Sequence, residues 1–248
     1  MDKRKVRLQE IESIINNDTI DLTRLRALCS QGCPNEGGTR SLIWKILLNY
    51  LPRNRKDWSD RLEKRRNEYK EFIREMIIRP GLAPAENENF DHPLNSGPSS
   101  EWDGYFKDNL ILVQIDKDVR RLCPDLCFFQ RPSEYPCDEM KNASNAEIYQ
   151  SLRERVYKTQ LKSDEVSKNR MGITNFKCVS KKSYDESSEY AHLEDGQEAH
   201  WEIVQRILFI FAKLNPGNSY VQGMNEICGP LYYTFANDPD PNWRSNRF

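Results

Sequence analysis

The chain has 248 residues, 38% hydrophobic and 30% charged, with 37 basic and 38 acidic side chains and a net charge of −1. That length holds one large domain or two small ones with a real core, but a mean hydropathy of −0.82 is too polar for every segment to pack, so some long stretch is expected to be loosely ordered. The balanced charge argues against a general nucleic-acid binder, and no apolar run approaches the length of a bilayer span.

The first apolar positions, Val6, Ile11, Ile14 and Ile15, define an amphipathic helix over 3–15 whose charged start contains no signal region. With no export signal, the 7 cysteines read as reduced thiols of a cytosolic protein. Asp21 caps a second, short helix that stops near Gly32. A third begins at a Thr39 cap, carries the stripe Leu42, Ile43, Ile46, Leu47 and Leu51 with Trp44 beside it, and ends at Pro52. A long fourth helix runs from Asp57 to Ile78 and is closed by Arg79-Pro80-Gly81, after which residues 80–103 read as loop.

Helix resumes over 106–122 and is ended by Pro124. Residues 131–197 are polar and serine-rich, the pattern of a mostly disordered insertion with a short helix around 146–157. Trp201, Val204, Ile207, Leu208, Phe211 and Leu214 mark another strong helix. After the turn Pro216-Gly217-Asn218-Ser219, the run Tyr220, Val221, Met224, Ile227, Cys228, Leu231, Tyr232 and Phe235 gives a last helix over 219–235. Ser219 and Gln222 fit a capping box there. Gly223 then falls inside the first turn, where glycine costs about 1 kcal/mol relative to alanine, so some other surface is expected to come close to it. With no strand pair and no internal repeat, the class is all-α. The expected organisation is N-terminal helices over 1–30, a main domain over 31–130 and 198–248, and the insertion at 131–197.

Cys29/Cys33 and Cys123/Cys127 have a spacing that zinc pairs use, but His92, His192 and His200 supply no paired spacing. These cysteines read as structural, and no metal or cofactor site is expected. The basic cluster Arg61, Lys64, Arg65 and Arg66 is interleaved with acids at helical spacing, which is the pattern of a solvated face.

Two stretches carry chemistry. Ile115, Asp118 and Arg121 stand three apart in Ile115-Asp116-Lys117-Asp118-Val119-Arg120-Arg121, and Tyr220-Val221-Gln222-Gly223-Met224-Asn225 follows later. Together they resemble the signature Ile-x-x-Asp-x-x-Arg and Tyr-x-Gln-Gly of TBC domains, the all-helical domains that activate Rab-type small GTPases. Arg40 and Trp44 resemble that family's opening motif. The resemblance implies an activator of a partner GTPase rather than an enzyme with its own substrate. It further implies that the partner is a Rab in its GTP-bound form, supplying the GTP and magnesium itself. By position, Arg121 would be the arginine finger, Gln222 the glutamine finger that orients the attacking water, and Asp118 the residue that holds Arg121. Ile115 and Tyr220 would support them, and Gly223 would let the nucleotide's surroundings approach. Arg120, about 100° round the helix from Arg121, would have to point elsewhere. An arginine supplied in trans is worth about 10³ to 10⁵ in rate, or roughly 4 to 7 kcal/mol of barrier.

The family's role places the chain in vesicle trafficking and intracellular protein transport, cytoplasmic and peripheral on endomembranes through its partner. Two departures stand out: Arg121 and Gln222 are widely separated, and the chain stops at Phe248, soon after Gln222. Family members continue with further helices, so the domain is expected to be incomplete at its C-terminus, with Leu231 and Phe235 exposed. The alternative is therefore a truncated form that binds a GTPase or another protein without activating it. A third reading is a helical scaffold whose motif matches arise by chance.

Overall fold

The computed structural model describes residues 3–77, 100–137, parts of 152–159, residue 193 and residues 197–240. The named helices are α1 (Lys3–Ile15), α2 (Leu22–Cys29), α3 (Thr39–Leu47), α4 (Trp58–Met76), α5 (Glu101–Val119), α6 (His200–Leu214) and α7 (Met224–Ala236), with a 3₁₀ turn at Arg55–Asp57. Among the described residues there is no strand, only two isolated antiparallel bridges, Thr19 with Asn54 and Pro132 with Ala199. The class is all-α. The chain forms two compact units, Met1–Glu71 with Leu231–Phe248, and Phe72–Pro230.

In the first unit, Ile11, Ile14 and Ile15 of α1 share one core with Ile20, Leu25, Ile43, Ile46, Leu51, Trp58 and Leu62. Asp21 caps α2 as its sequence predicts, its Oδ1 accepting from the Thr23 and Arg24 N–H groups at 3.0 and 3.1 Å. The cap of α3 differs from expectation. Gly38 at φ 79° takes the cap position, and Thr39 is the first helical residue, its hydroxyl donating to the Glu36 carbonyl at 2.6 Å. Only glycine takes this φ readily, and a Cβ at Gly38 would lie 2.9 Å from Pro239.

Lys45 and Asp238 form a buried ion pair at 3.4 Å, with the Lys45 ammonium 5.5 Å from the centre of the Phe235 ring. Burial lowers the Lys45 pKa against the pull of Asp238. Leu231 and Phe235 are half-buried rather than exposed. The exposed apolar residues of α7 are instead Ile227 (70%) and Tyr233 (39%). The basic cluster of α4 includes an i,i+3 pair, Arg65 with Glu68 at 2.9 Å.

The second unit is built on α5 and α6. Asp108 of α5 meets Lys213 of α6 at 2.8 Å, while Asp116 meets Gln205 at 2.9 Å. Moving forward along one helix matches moving back along the other, so the two are antiparallel. Leu112, Ile115, Val119, Val204, Leu208 and Phe209 are buried on them. Helix α5 starts five residues before the sequence predicts, because Ser100 caps it, its hydroxyl accepting from the Trp102 N–H at 3.2 Å. The rest of that expected loop, 78–99, lies outside the described residues.

The segment read as disordered from residue 131 is ordered at its start. The Ser133 N–H donates to Glu198 O at 2.8 Å, and the His200 N–H donates to Arg131 O at 3.2 Å; Cys137 is buried. Within 152–159 the described residues are helical, which meets the end of the short helix expected at 146–157. Arg155 anchors them, its guanidinium lying 3.9 Å from the centre of the Tyr105 ring. Its Nε donates to Asn109 Oδ1 at 2.5 Å. These polar tertiary contacts leave no periodic trace in the sequence. The remainder of 131–197 lies outside the described residues apart from 193 and 197.

Candidate functional site

The site lies where α5 ends. Ile115, Val119 and Leu122 are fully buried and fix that end of the helix against its neighbours. Arg120 and Arg121 leave it in different directions. Arg120 turns back: its Nε donates to Asp116 Oδ2 at 2.8 Å, and its guanidinium lies 4.7 Å from the centre of the Trp201 ring. Arg121 stays outside, its side chain 71% exposed against 22% for Arg120.

Arg121 is nevertheless held. Its Nε donates to the Lys117 carbonyl at 2.9 Å and its Nη2 to Asp118 Oδ1 at 3.1 Å. Asp118 is buried, and its second oxygen, Oδ2, accepts from the Tyr220 hydroxyl at 2.7 Å. Burial, then the hydrogen bond to Asp118 and its negative charge, raise the Tyr220 phenol above its usual pKa. The hydroxyl therefore keeps its proton and acts as a donor. The Asp118 backbone carbonyl accepts from Asn225 Nδ2 at 3.2 Å.

Gln222 sits between these partners on the tight turn that leads into α7. The turn begins after α6, where the Asn218 and Ser219 N–H groups both donate to Asn215 O, at 3.1 and 2.7 Å. Gln222 is exposed and precedes the first residue of α7, Met224. The expected capping box does not form, because Ser219 has φ 51° and lies five residues ahead of the helix. Tyr220, counted in the sequence as the start of a helical stripe, is buried against Asp118 instead. Gly223 has φ 96°, and a Cβ there would meet nothing within 4 Å. Glycine is needed for the backbone turn, not to clear a surface within this chain.

Of the predicted site residues, the structure brings Ile115, Asp118, Arg121 and Tyr220 together, with Gln222 and Gly223 on the adjoining turn. Arg40 and Trp44 belong to the first unit, where Arg40 Nη2 donates to the Cys33 carbonyl at 3.1 Å and Trp44 packs partly buried against that unit's core. Asn225 is the residue that sequence reasoning passed over. Its signal was an amide inside an otherwise apolar stripe, between Tyr220 and Cys228.

Among the described residues, no group of three or more His, Cys, Asp or Glu could hold a metal ion. Burial, and then the neighbouring Cys33, push the Cys29 thiol up to about 12, and burial takes Cys228 to about 11. Neither is a thiolate at neutral pH. No described helix is long and apolar enough to cross a membrane.

No protein-family model matches the chain. It is 53% identical over 250 residues to TBC1 domain family member 13 of Homo sapiens, covering 98% of this chain and 62% of that protein. It is 35% identical over 286 residues to TBC domain-containing protein C1952.17c of Schizosaccharomyces pombe, covering 95% of this chain and 46% of that one. The chain is thus similar, over nearly its whole length, to proteins of the TBC domain family. The crystal structure of the Ypt/Rab-GAP domain of Gyp1p shares the fold, with a TM-score of 0.52 at 17% identity, covering 97% of this chain and 47% of that one. The chain spans 62% of the human relative's length.

Proposed function

We propose that this chain is a TBC domain that accelerates GTP hydrolysis on a GTP-bound Rab-family GTPase, with Arg121 and Gln222 acting in trans. One observation carries the reading: of two adjacent arginines, Arg120 is bound to Asp116 and Trp201, while Arg121 is held by Asp118 and Lys117 yet keeps most of its surface open. A small GTPase alone stabilises the charge that develops on the transferred phosphoryl oxygens poorly, and it positions the attacking water poorly. Arg121 presents a planar, permanently charged fork to that charge. The exposed Gln222 amide, which can both donate and accept, orients the water. GTP and magnesium belong to the partner, so the chain turns over no substrate and needs no cofactor of its own. Its role is in vesicle trafficking, cytoplasmic and peripheral on endomembranes through the partner.

Single-turnover hydrolysis by a panel of GTP-loaded Rab proteins tests this, with and without the chain. Acceleration of at least one Rab is expected, abolished by Arg121→Ala and by Gln222→Ala and retained by folded Arg120→Ala. Binding of a Rab without any acceleration would favour the alternative, a chain that binds a GTPase without activating it.

A further inference from the structure

Asn225 is 4% exposed, and an amide buried to that degree destabilises a fold unless its polar atoms are paired. The pairing found here is directed. Asn225 Nδ2 donates to the Asp118 carbonyl at 3.2 Å and to Glu226 Oε1 at 3.0 Å. The Tyr220 hydroxyl, five residues ahead of Asn225 in the chain, donates to Asp118 Oδ2 at 2.7 Å. Asp118 thus receives one bond from Asn225 at its backbone carbonyl and another from Tyr220 at its carboxylate. That carboxylate holds Arg121, and the turn carrying Gln222 lies between Tyr220 and Asn225 in sequence.

We propose that Asn225 is a positioning residue that ties the Gln222 turn to the end of α5, so that the two fingers meet a GTPase as a preset pair. The inference rests on the Rab-activating reading above. Its physical basis is that a catalytic group displaced by about 1 Å can lose on the order of 10²-fold in rate. Arg121 and Gln222 stand on separate elements, and each is exposed. Asp118, Tyr220 and Asn225 supply the bonds between those elements, all of them buried where water does not compete.

The test is single-turnover hydrolysis by the accelerated Rab, titrated with the full chain to separate the plateau rate from the half-saturating concentration. Asn225→Ala is expected to lower the plateau rate per folded molecule by roughly 10- to 100-fold and to leave the half-saturating concentration little changed. Tyr220→Phe keeps the ring and removes only the hydroxyl, and it is expected to act in the same direction; it carries the test should Asn225→Ala fail to fold. The double variant should be no slower than the slower single variant, since both break one device. A residue with a merely structural role would lower the melting temperature and leave the plateau rate per folded molecule at the wild-type value. That result overturns the inference while the fingers stand. If the unaltered chain accelerates no Rab, the activating reading and this inference fall together.

Discussion

Two aspartates near the end of α5 invite comparison. Asp116 and Asp118 are both buried, both take an arginine, and both also accept a bond from a neutral side chain, Gln205 in one case and Tyr220 in the other. Asp116 faces the core: its arginine lies over the Trp201 ring and is 22% exposed. Asp118 faces the rim: it steadies an arginine that is 71% exposed. One network is spent on the fold and the other is kept ready. Two residues along a helix are about 200° of rotation, which is enough to send two chemically similar clusters to opposite uses.

The comparison is broken most severely at the exposed arginine. Arg121→Ala should remove about 10³-fold or more of the acceleration, equivalent to roughly 4 kcal/mol of barrier or more, and leave the melting temperature almost unmoved because the side chain is exposed. Single-turnover rates and a thermal melt on the same sample check both halves.

Asp116→Ala should do the reverse. It leaves the Arg120 guanidinium and the Gln205 amide without their acceptor and should destabilise the fold by about 3 kcal/mol, read by urea unfolding. Full activity per folded molecule is expected.

The closed side also predicts a pH dependence. His200 is stacked on Phe128 with ring centres 4.1 Å apart, and burial depresses its pKa to about 4 despite the pull of Glu134. The unfolded histidine takes up a proton near pH 6.5, before the folded one does. Stability is therefore full above pH 6.5 and is lost progressively as pH falls from 6.5 toward 4. His200→Phe should flatten that part of the stability profile by ~2 kcal/mol, measured by denaturant midpoints at several pH values.

The smallest effect is expected on the open side. Gly223→Ala places a side chain at φ 96° in open space, so it strains the turn without a clash. A loss of about 1 kcal/mol of stability together with a fall in activity would locate Gly223's role in the backbone of the Gln222 turn.

Much of this was legible in the residues. The apolar stripes of α1, α3 and α6 gave those helices, and Asp21 gave the start of α2, because periodicity and caps are local signals. The pairing of Asp118 with Arg121 was legible from their spacing of three. What could not be read depended on distant partners. Tyr220 looked like a helical position because its spacing to Met224 and Ile227 is helical, yet its hydroxyl is claimed by Asp118, 102 residues earlier in the chain. That contact holds Tyr220 out of α7 and moves the helix start to Met224. Ser219 could therefore not serve as its cap, and Gly223 acquired a backbone role that the sequence suggested as a packing role. Arg155 and Ser133 were hidden in the same way, since a single buried polar contact in a polar segment leaves no pattern.

The most direct measurement is formation of a complex between the chain and a GDP-loaded Rab in the presence of aluminium fluoride, which mimics the planar phosphoryl group of the transition state and should bind more tightly than the ground state. A complex that requires fluoride, persists with Arg120→Ala and is lost with Arg121→Ala is the expected result. A complex that survives Arg121→Ala, or is lost only with Arg120→Ala, would contradict the assignment of the exposed arginine to the reacting phosphoryl group.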